Sequence, residues 1–179
     1  MVKSQGSIVC KTCWVLSNST YIALGSNLGD SVSTIESAFV ELQKLSVRPI
    51  QQSSLWRSTP VDCPPGSPDF INAVVELNPL EGETPESLLV KLQALEVKFG
   101  RNPKEVLNEP RPLDLDIIAF GQEIRETIQL TLPHPRWHQR CFVLEALGEI
   151  APKAILPGQS EPITQLLSEL DTTEVLVRL

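Results

Sequence analysis

The chain has 179 residues, 41% of them hydrophobic, which suits one domain with its own core and excludes a disordered polymer. Fifteen Lys and Arg against twenty-two Asp and Glu leave a net charge of −7, the opposite of the balance that non-specific nucleic-acid binding requires. No apolar run approaches the ~18–20 residues that cross a bilayer, so neither nucleic acid nor membrane is an expected partner and a cytoplasmic location is the default.

Residues 1–18 carry no stable pattern and are expected to be an N-terminal extension, with a single domain over residues 19–179. Cys10 and Cys13 form a CxxC, but Cys63 and Cys141 supply no second pair, which favours thiols without a shared role over zinc or redox chemistry. TYIAL from Thr20 reads as a short buried strand, followed by the turn chemistry of GSNLGD. A helix over Ser31–Leu45 follows from the spacing of Val32, Ile35, Ala38, Phe39, Leu42 and Leu45, with Asp30 or Ser33 as its cap. Residues 46–57 read as one strand, and residues 58–69, four of them proline, as a stiff loop.

FINAVVELN at 70–78 reads as the next strand. Thr84 and Pro85 open a second helix, whose buried side is Leu88, Leu89, Leu92, Leu95 and Phe99 and whose stop is Gly100. Residues 101–112 hold three prolines and form a loop; Leu113–Phe120 is a strand. A hairpin near Gly121, a short strand in IQLTL, a helix over 136–147, another near Ile163–Leu170 and an edge strand in EVLVRL complete the chain. The irregular order points to an α/β (α+β) fold, a mixed or antiparallel sheet with helices packed on it, rather than a doubly wound one.

Asp114 and Asp116 are two apart on a strand, so both carboxylates project from one side while Leu113, Leu115 and Ile117 enter the core. Paired carboxylates raise each other's pKa, and Mg²⁺ relieves them, taking its remaining ligands from water and phosphate. A solvated strand face is the alternative. Residues 98–140 hold seven basic and six acidic residues, a local excess of positive charge in an acidic chain. Within them Arg101, Arg111, His134 and Arg140 suit a polyphosphate, although Arg101 and Arg111 can equally pair with Glu105 and Glu109. No GxxxxGK[ST] occurs, so side chains and metal would hold any nucleotide. Asn72, inside an apolar strand, can read a heterocycle edge beside Phe70, or simply bond the backbone as a core asparagine.

YIALGSNLGD at 21–30, DFINAVV at 69–75, RPLDLDII at 111–118 and LPHPRWHQRCFVLEAL at 132–147 resemble, in order, the 6-hydroxymethyl-7,8-dihydropterin pyrophosphokinase family of folate biosynthesis. The resemblance implies a ferredoxin-like core with extensions. It implies transfer of the pyrophosphoryl group of ATP to 6-hydroxymethyl-7,8-dihydropterin, giving AMP and the pterin diphosphate, with two Mg²⁺ ions on Asp114 and Asp116. It further implies pterin contacts from Asn72, Phe70, Phe142, Ser58 and Asn27. Nucleotide contacts are implied for Gln93, Glu96, Arg101, Arg111, His134 and Arg140, with Arg101 and Arg111 also serving catalysis. Arg101 resembles the start of the family's mobile catalytic loop, here residues 101–110. A monomer is the expectation, though no motif fixes it. The chain departs from the family pattern at Pro103, Asn108, Glu109, Trp56 and Asp62, changes expected to slow turnover without removing binding. Another Mg²⁺-dependent phosphotransferase and a catalytically silent pterin- or nucleotide-binding module are the competing readings.

Overall fold

The computed structural model describes residues 19–61, 63–102 and 109–179. The extension, with Cys10 and Cys13, lies outside the described residues, as do Asp62 and residues 103–108 of the proline-bearing loop.

Apolar runs buried on both faces build the central strands β1 (Thr20–Ser26) and β4 (Phe70–Leu77), and β5 (Asp114–Phe120) joins them with an alternating start. Between them lie α1 (Ser31–Gln43), β2 (Gln51–Gln52), β3 (Trp56–Ser58) and α2 (Pro85–Lys98). The sheet order is β5-β1-β4-β3-β8, with β2 also on β4 and β8 (Leu176–Arg178) at the edge. With β2 and β3 taken as one interrupted strand, the core is βαββαβ, its strands lying fourth, first, third, second. All described pairings are antiparallel. This is the ferredoxin-like arrangement, extended by β8 and by a small sheet of β6 (Arg125–Glu126) and β7 (Thr131–Leu132).

Each face of the sheet buries its own apolar layer. Ile22, Leu24, Ala73, Val75, Leu115 and Ile117 pack with Ile35, Phe39 and Leu42 of α1 and Leu88 and Leu92 of α2. Tyr21, Ala23, Val74 and Ile118 pack on the other side with Val143, Leu144 and Leu147 of α3 (Cys141–Ile150) and Ile163 of α4 (Ile163–Glu169). The β1–β5 pairing jumps from Ile22↔Ile117 to Tyr21↔Ala119, leaving Ile118 as an extra residue in a β-bulge.

Several elements depart from the sequence expectation. The strand over 46–57 is broken, because Ser53 Oγ accepts the Val74 N–H at 2.9 Å and takes a backbone place in the ladder. The helix over 136–147 is a 3-10 turn, Trp137–Gln139, followed by α3; Arg140 is extended between them at ψ 113°. Asp30 caps α1 by accepting from Ser33 N, and Val32 is not buried. The short strand of IQLTL shrinks to Thr131–Leu132, with Ile128 fully exposed in the turn before it.

Leu92 is fully buried between α2 and the sheet. Leu92→Ala is expected to lower unfolding free energy by about 2–5 kcal/mol in urea denaturation, since the rigid sheet cannot collapse into the void.

Candidate active site

The helices α3 and α4 cover only part of their face of the sheet. At its far end a row of paired residues crosses the strands, Trp56↔Asn72 and then Gly25 between Asn72 and Asp114. Asp116 pairs with Ala23 one step along the same face. A cavity of about 470 Å³ opens above this row, bounded by the β3–β4 connection, the start of α3 and residues 172–174. That volume suits a small organic ligand.

Gly25 makes the floor flat. A Cβ there would stand 3.2 Å from Asn72 Oδ1 and 3.8 Å from Phe70 Cδ1, crowding the corner where a planar ligand would lie. Asn72 is buried, and its Nδ2 donates to Ser58 Oγ at 2.8 Å, so β3 orients the amide. The Phe70 and Phe142 rings line the cavity, and the Arg111 guanidinium stands 5.7 Å from the centre of the Phe70 ring.

The charged side of the cavity centres on Asp114. Arg101 Nη1 reaches one oxygen and Arg111 Nη2 the other, each at 2.6 Å. Arg101 arrives through the end of α2. Gly100 adopts φ +91°, Gly100 N donates to the Val97 carbonyl and Arg101 N to the Glu96 carbonyl, which turns the chain back toward the helix. Glu96 lies on the same buried stripe as Leu88 and Leu92, and its carboxylate accepts from Arg101 Nη1 and, at 2.8 Å, from Leu115 N. Arg111 is held from the other side: Asn27 Oδ1 accepts its N–H at 2.8 Å, and Asn27 N donates to its carbonyl at 3.1 Å.

Burial, then the charge of Asp114, pushes the Asp116 carboxyl up, against the pull of His134, Arg140 and Arg111. Arg140 Nη1 stands 3.5 Å from Asp116 Oδ2. Burial holds His134 below its ordinary pKa, although Asp116 opposes it. Glu96 is raised to about 7, chiefly by burial, with Asp114 and Asp116 adding to it and the Leu115 N–H and Arg101 opposing.

Ser58, Phe70, Asn72, Arg111, Asp114, Asp116, Arg140 and Phe142 are therefore brought to one cavity. Arg101 joins them through Asp114, whereas Asn27 and Glu96 stand behind the wall and hold the two arginines. His134 does not line the cavity but lies in the field of Asp116, and Gln93 is exposed on α2. Sequence reading missed Arg136 and Gln139, which line the mouth from within the LPHPRWHQRCF segment, and Thr172–Glu174, which no motif marks.

No group of three or more His, Cys, Asp or Glu able to hold a metal occurs among the described residues. Two carboxylates on one strand face still fit Mg²⁺, which completes its shell with water and substrate phosphates. Arg111 Nε, buried and without a partner among the described residues, fits an added anionic oxygen.

The family model for 7,8-dihydro-6-hydroxymethylpterin-pyrophosphokinase (HPPK) matches residues 21–152. The chain belongs to the HPPK family. It is 38% identical over 154 residues to 2-amino-4-hydroxy-6-hydroxymethyldihydropteridine pyrophosphokinase of Synechocystis, covering 86% of this chain and 77% of that one. The Haemophilus influenzae enzyme of the same name is 40% identical over 154 residues, covering 83% and 91%. Among solved structures, Plasmodium falciparum HPPK-DHPS with SDX-DHP superposes with TM-score 0.67 at 14% identity, over 85% of this chain and 44% of that chain. That likeness concerns the fold, and this chain spans less than half of the solved one.

A pH dependence follows from Glu96. Its folded pKa of about 7 lies above the ordinary 4.5, so between those values the native state holds a proton that the unfolded chain has released. Stability is therefore expected to fall as pH rises from about 4.5 to about 7, and Glu96→Gln to flatten that slope in denaturant midpoints measured across the range.

Proposed function

We propose that this HPPK-family chain transfers the β,γ-pyrophosphoryl group of ATP to the hydroxymethyl group of 6-hydroxymethyl-7,8-dihydropterin, yielding AMP and the pterin diphosphate for folate synthesis. The observation that carries the reading is one cavity with two ends. An amide and aromatic corner (Asn72, Ser58, Phe70, Phe142) adjoins a carboxylate and arginine end (Asp114, Asp116, Arg111, Arg140).

The pterin ring lies on the Gly25 floor between the phenyl groups, and the Asn72 amide, fixed by Ser58, reads its polar edge. The hydroxymethyl oxygen then faces the charged end, where the ATP triphosphate lies. It gives its proton to water and bonds to the β-phosphorus while the bond from that phosphorus to the oxygen shared with the α-phosphorus breaks, and that oxygen leaves on AMP. Asp114 and Asp116 would hold two Mg²⁺ ions, which when bound neutralise charge on the phosphoryl oxygens. Arg101 and Arg111 exchange Asp114 for phosphate oxygens, one charge-assisted pair for another, and Arg140 and His134 bear on the same chain of phosphates. Gln93 and Glu96 complete the nucleotide side, Glu96 by holding Arg101. Positioning and charge supply most of the acceleration, since a loose phosphoryl-transfer transition state asks little of a base. A cytoplasmic setting accords with this role, and no helix among the described residues is long and apolar enough to cross a membrane.

The purified protein with Mg·ATP and the hydroxymethyl dihydropterin should form AMP and the pterin diphosphate, followed by phosphorus NMR. Formation of ADP would point to an ordinary kinase, and tight binding without turnover to a silent binding module. Asp116→Ala is expected to cut kcat about a thousandfold, about 4 kcal/mol of transition-state stabilisation, with an unchanged melting temperature. For Gly25→Ala the expected result is weaker pterin binding by about tenfold or more, with ATP binding kept, both read by equilibrium titration.

A further inference from the structure

Thr172, Thr173 and Glu174 form one wall of the cavity. They are carried there by β8, which pairs with β3 through Ser58↔Leu176 and Trp56↔Arg178. The wall is thus tied to the strand whose Ser58 orients Asn72. Within it, Glu174 N donates to Thr172 Oγ1 at 3.1 Å, so the carboxylate and the threonine belong to one turn.

The Glu174 side chain reaches across to α3. Its Oε2 accepts the Cys141 N–H at 3.1 Å, from 33 positions further along the chain. The helix needs that acceptor. Its N-cap residue is Arg140, whose side chain makes no capping hydrogen bond, so the first turn lacks the oxygen that Ser, Asp or Asn would supply. A carboxylate also suits the positive end of the helix. Burial raises the Glu174 carboxyl, opposed by the Cys141 N–H and the nearby Arg140 charge. The residues on either side of Cys141 are Arg140, 3.5 Å from Asp116, and Phe142, whose ring lines the cavity.

We propose that Glu174 is a positioning residue for the pyrophosphokinase reaction: it caps α3 through Cys141 N–H and so fixes Arg140 and Phe142 at the substrate cavity. The inference rests on the reading under Proposed function for its kinetic consequence, but not for the contact itself. Because the acceptor comes from a distant segment, the wall of residues 172–174 and the first turn of α3 are set together. A loosened cap lets the Phe142 ring leave its place, which weakens pterin binding more than it slows the bound reaction.

The test compares Glu174→Ala, Glu174→Gln and Glu174→Asp in the full chain. Glu174→Ala is expected to raise the pterin KM about tenfold at saturating Mg·ATP while kcat stays within about threefold. Glu174→Gln keeps an acceptor oxygen at the same reach and should remain within about twofold of the parent. Glu174→Asp is one methylene too short and should behave like the alanine variant. Hydrogen exchange at the Cys141 amide should quicken in the Ala and Asp variants and not in Gln.

A folded Glu174→Ala with parental KM, or one changed only in melting temperature, overturns the proposal. So does the reverse order, Asp like the parent and Gln like Ala, which would assign the carboxylate's charge to the ligand or to Arg140. If Glu174→Ala does not fold, the order of Gln and Asp still decides. A parent protein that binds no pterin and forms no AMP overturns the proposed function. The Cys141 exchange rates then judge the contact alone, and rates unchanged across the three variants sink it.

Discussion

A carboxylate gripped by two guanidinium groups is the interaction around which the cavity is organised. Each oxygen of Asp114 has its own arginine, and the two arginines come from opposite directions. One is delivered by the turn that ends α2 and is steadied by Glu96; the other is clasped by Asn27. Half-buried charges of this kind are held by their pairing, and removing one partner leaves part of the other's burial cost uncompensated. The grouping therefore fastens α2, β5 and the segment after β1 to one point. It also gathers two guanidinium groups beside the cavity.

Around that point the sheet supplies the central row of the cavity and the neighbouring segments supply its walls. Paired strands set Asn72, Gly25 and Asp114 side by side in a row whose spacing is that of the backbone ladder. Phe70 stands at the first position of β4, whereas Phe142 and Arg140 are added from the start of α3. An amide and aromatic corner and a charged end thus share one floor and differ in the walls.

The elements with strong periodicity were legible in the sequence. Ile35, Ala38, Phe39 and Leu42 mark α1, Thr84 and Pro85 mark the start of α2, an apolar run marks β4, and alternating leucine and aspartate mark the start of β5. Asp114 and Asp116 follow from strand period alone. What escaped depended on contacts distant in sequence. The apolar spacing of Trp137, Cys141 and Leu144 runs straight through the break at Arg140, since a 3-10 turn and a helix bury the same residues. Glu96 was implied as a nucleotide contact, whereas its carboxylate is taken up by Leu115 N and Arg101 behind the cavity wall, partners that no spacing on α2 reveals. Ser53 broke a strand because its hydroxyl could replace a backbone group, which no period reveals.

The bulge at Ile118 has a consequence for how the chain tolerates change. On either side of it β5 shows opposite phases to its neighbour: Leu115 and Ile117 feed the layer under α1 and α2, while Ile118 and Ala119 feed the layer under α3. Sliding the strand by one place would drive both aspartates into a greasy interior and strand leucine in the wet. The irregularity acts as a notch that admits a single alignment. Insertions and deletions are accordingly expected to be purged from this stretch, while the connections on either side drift in length.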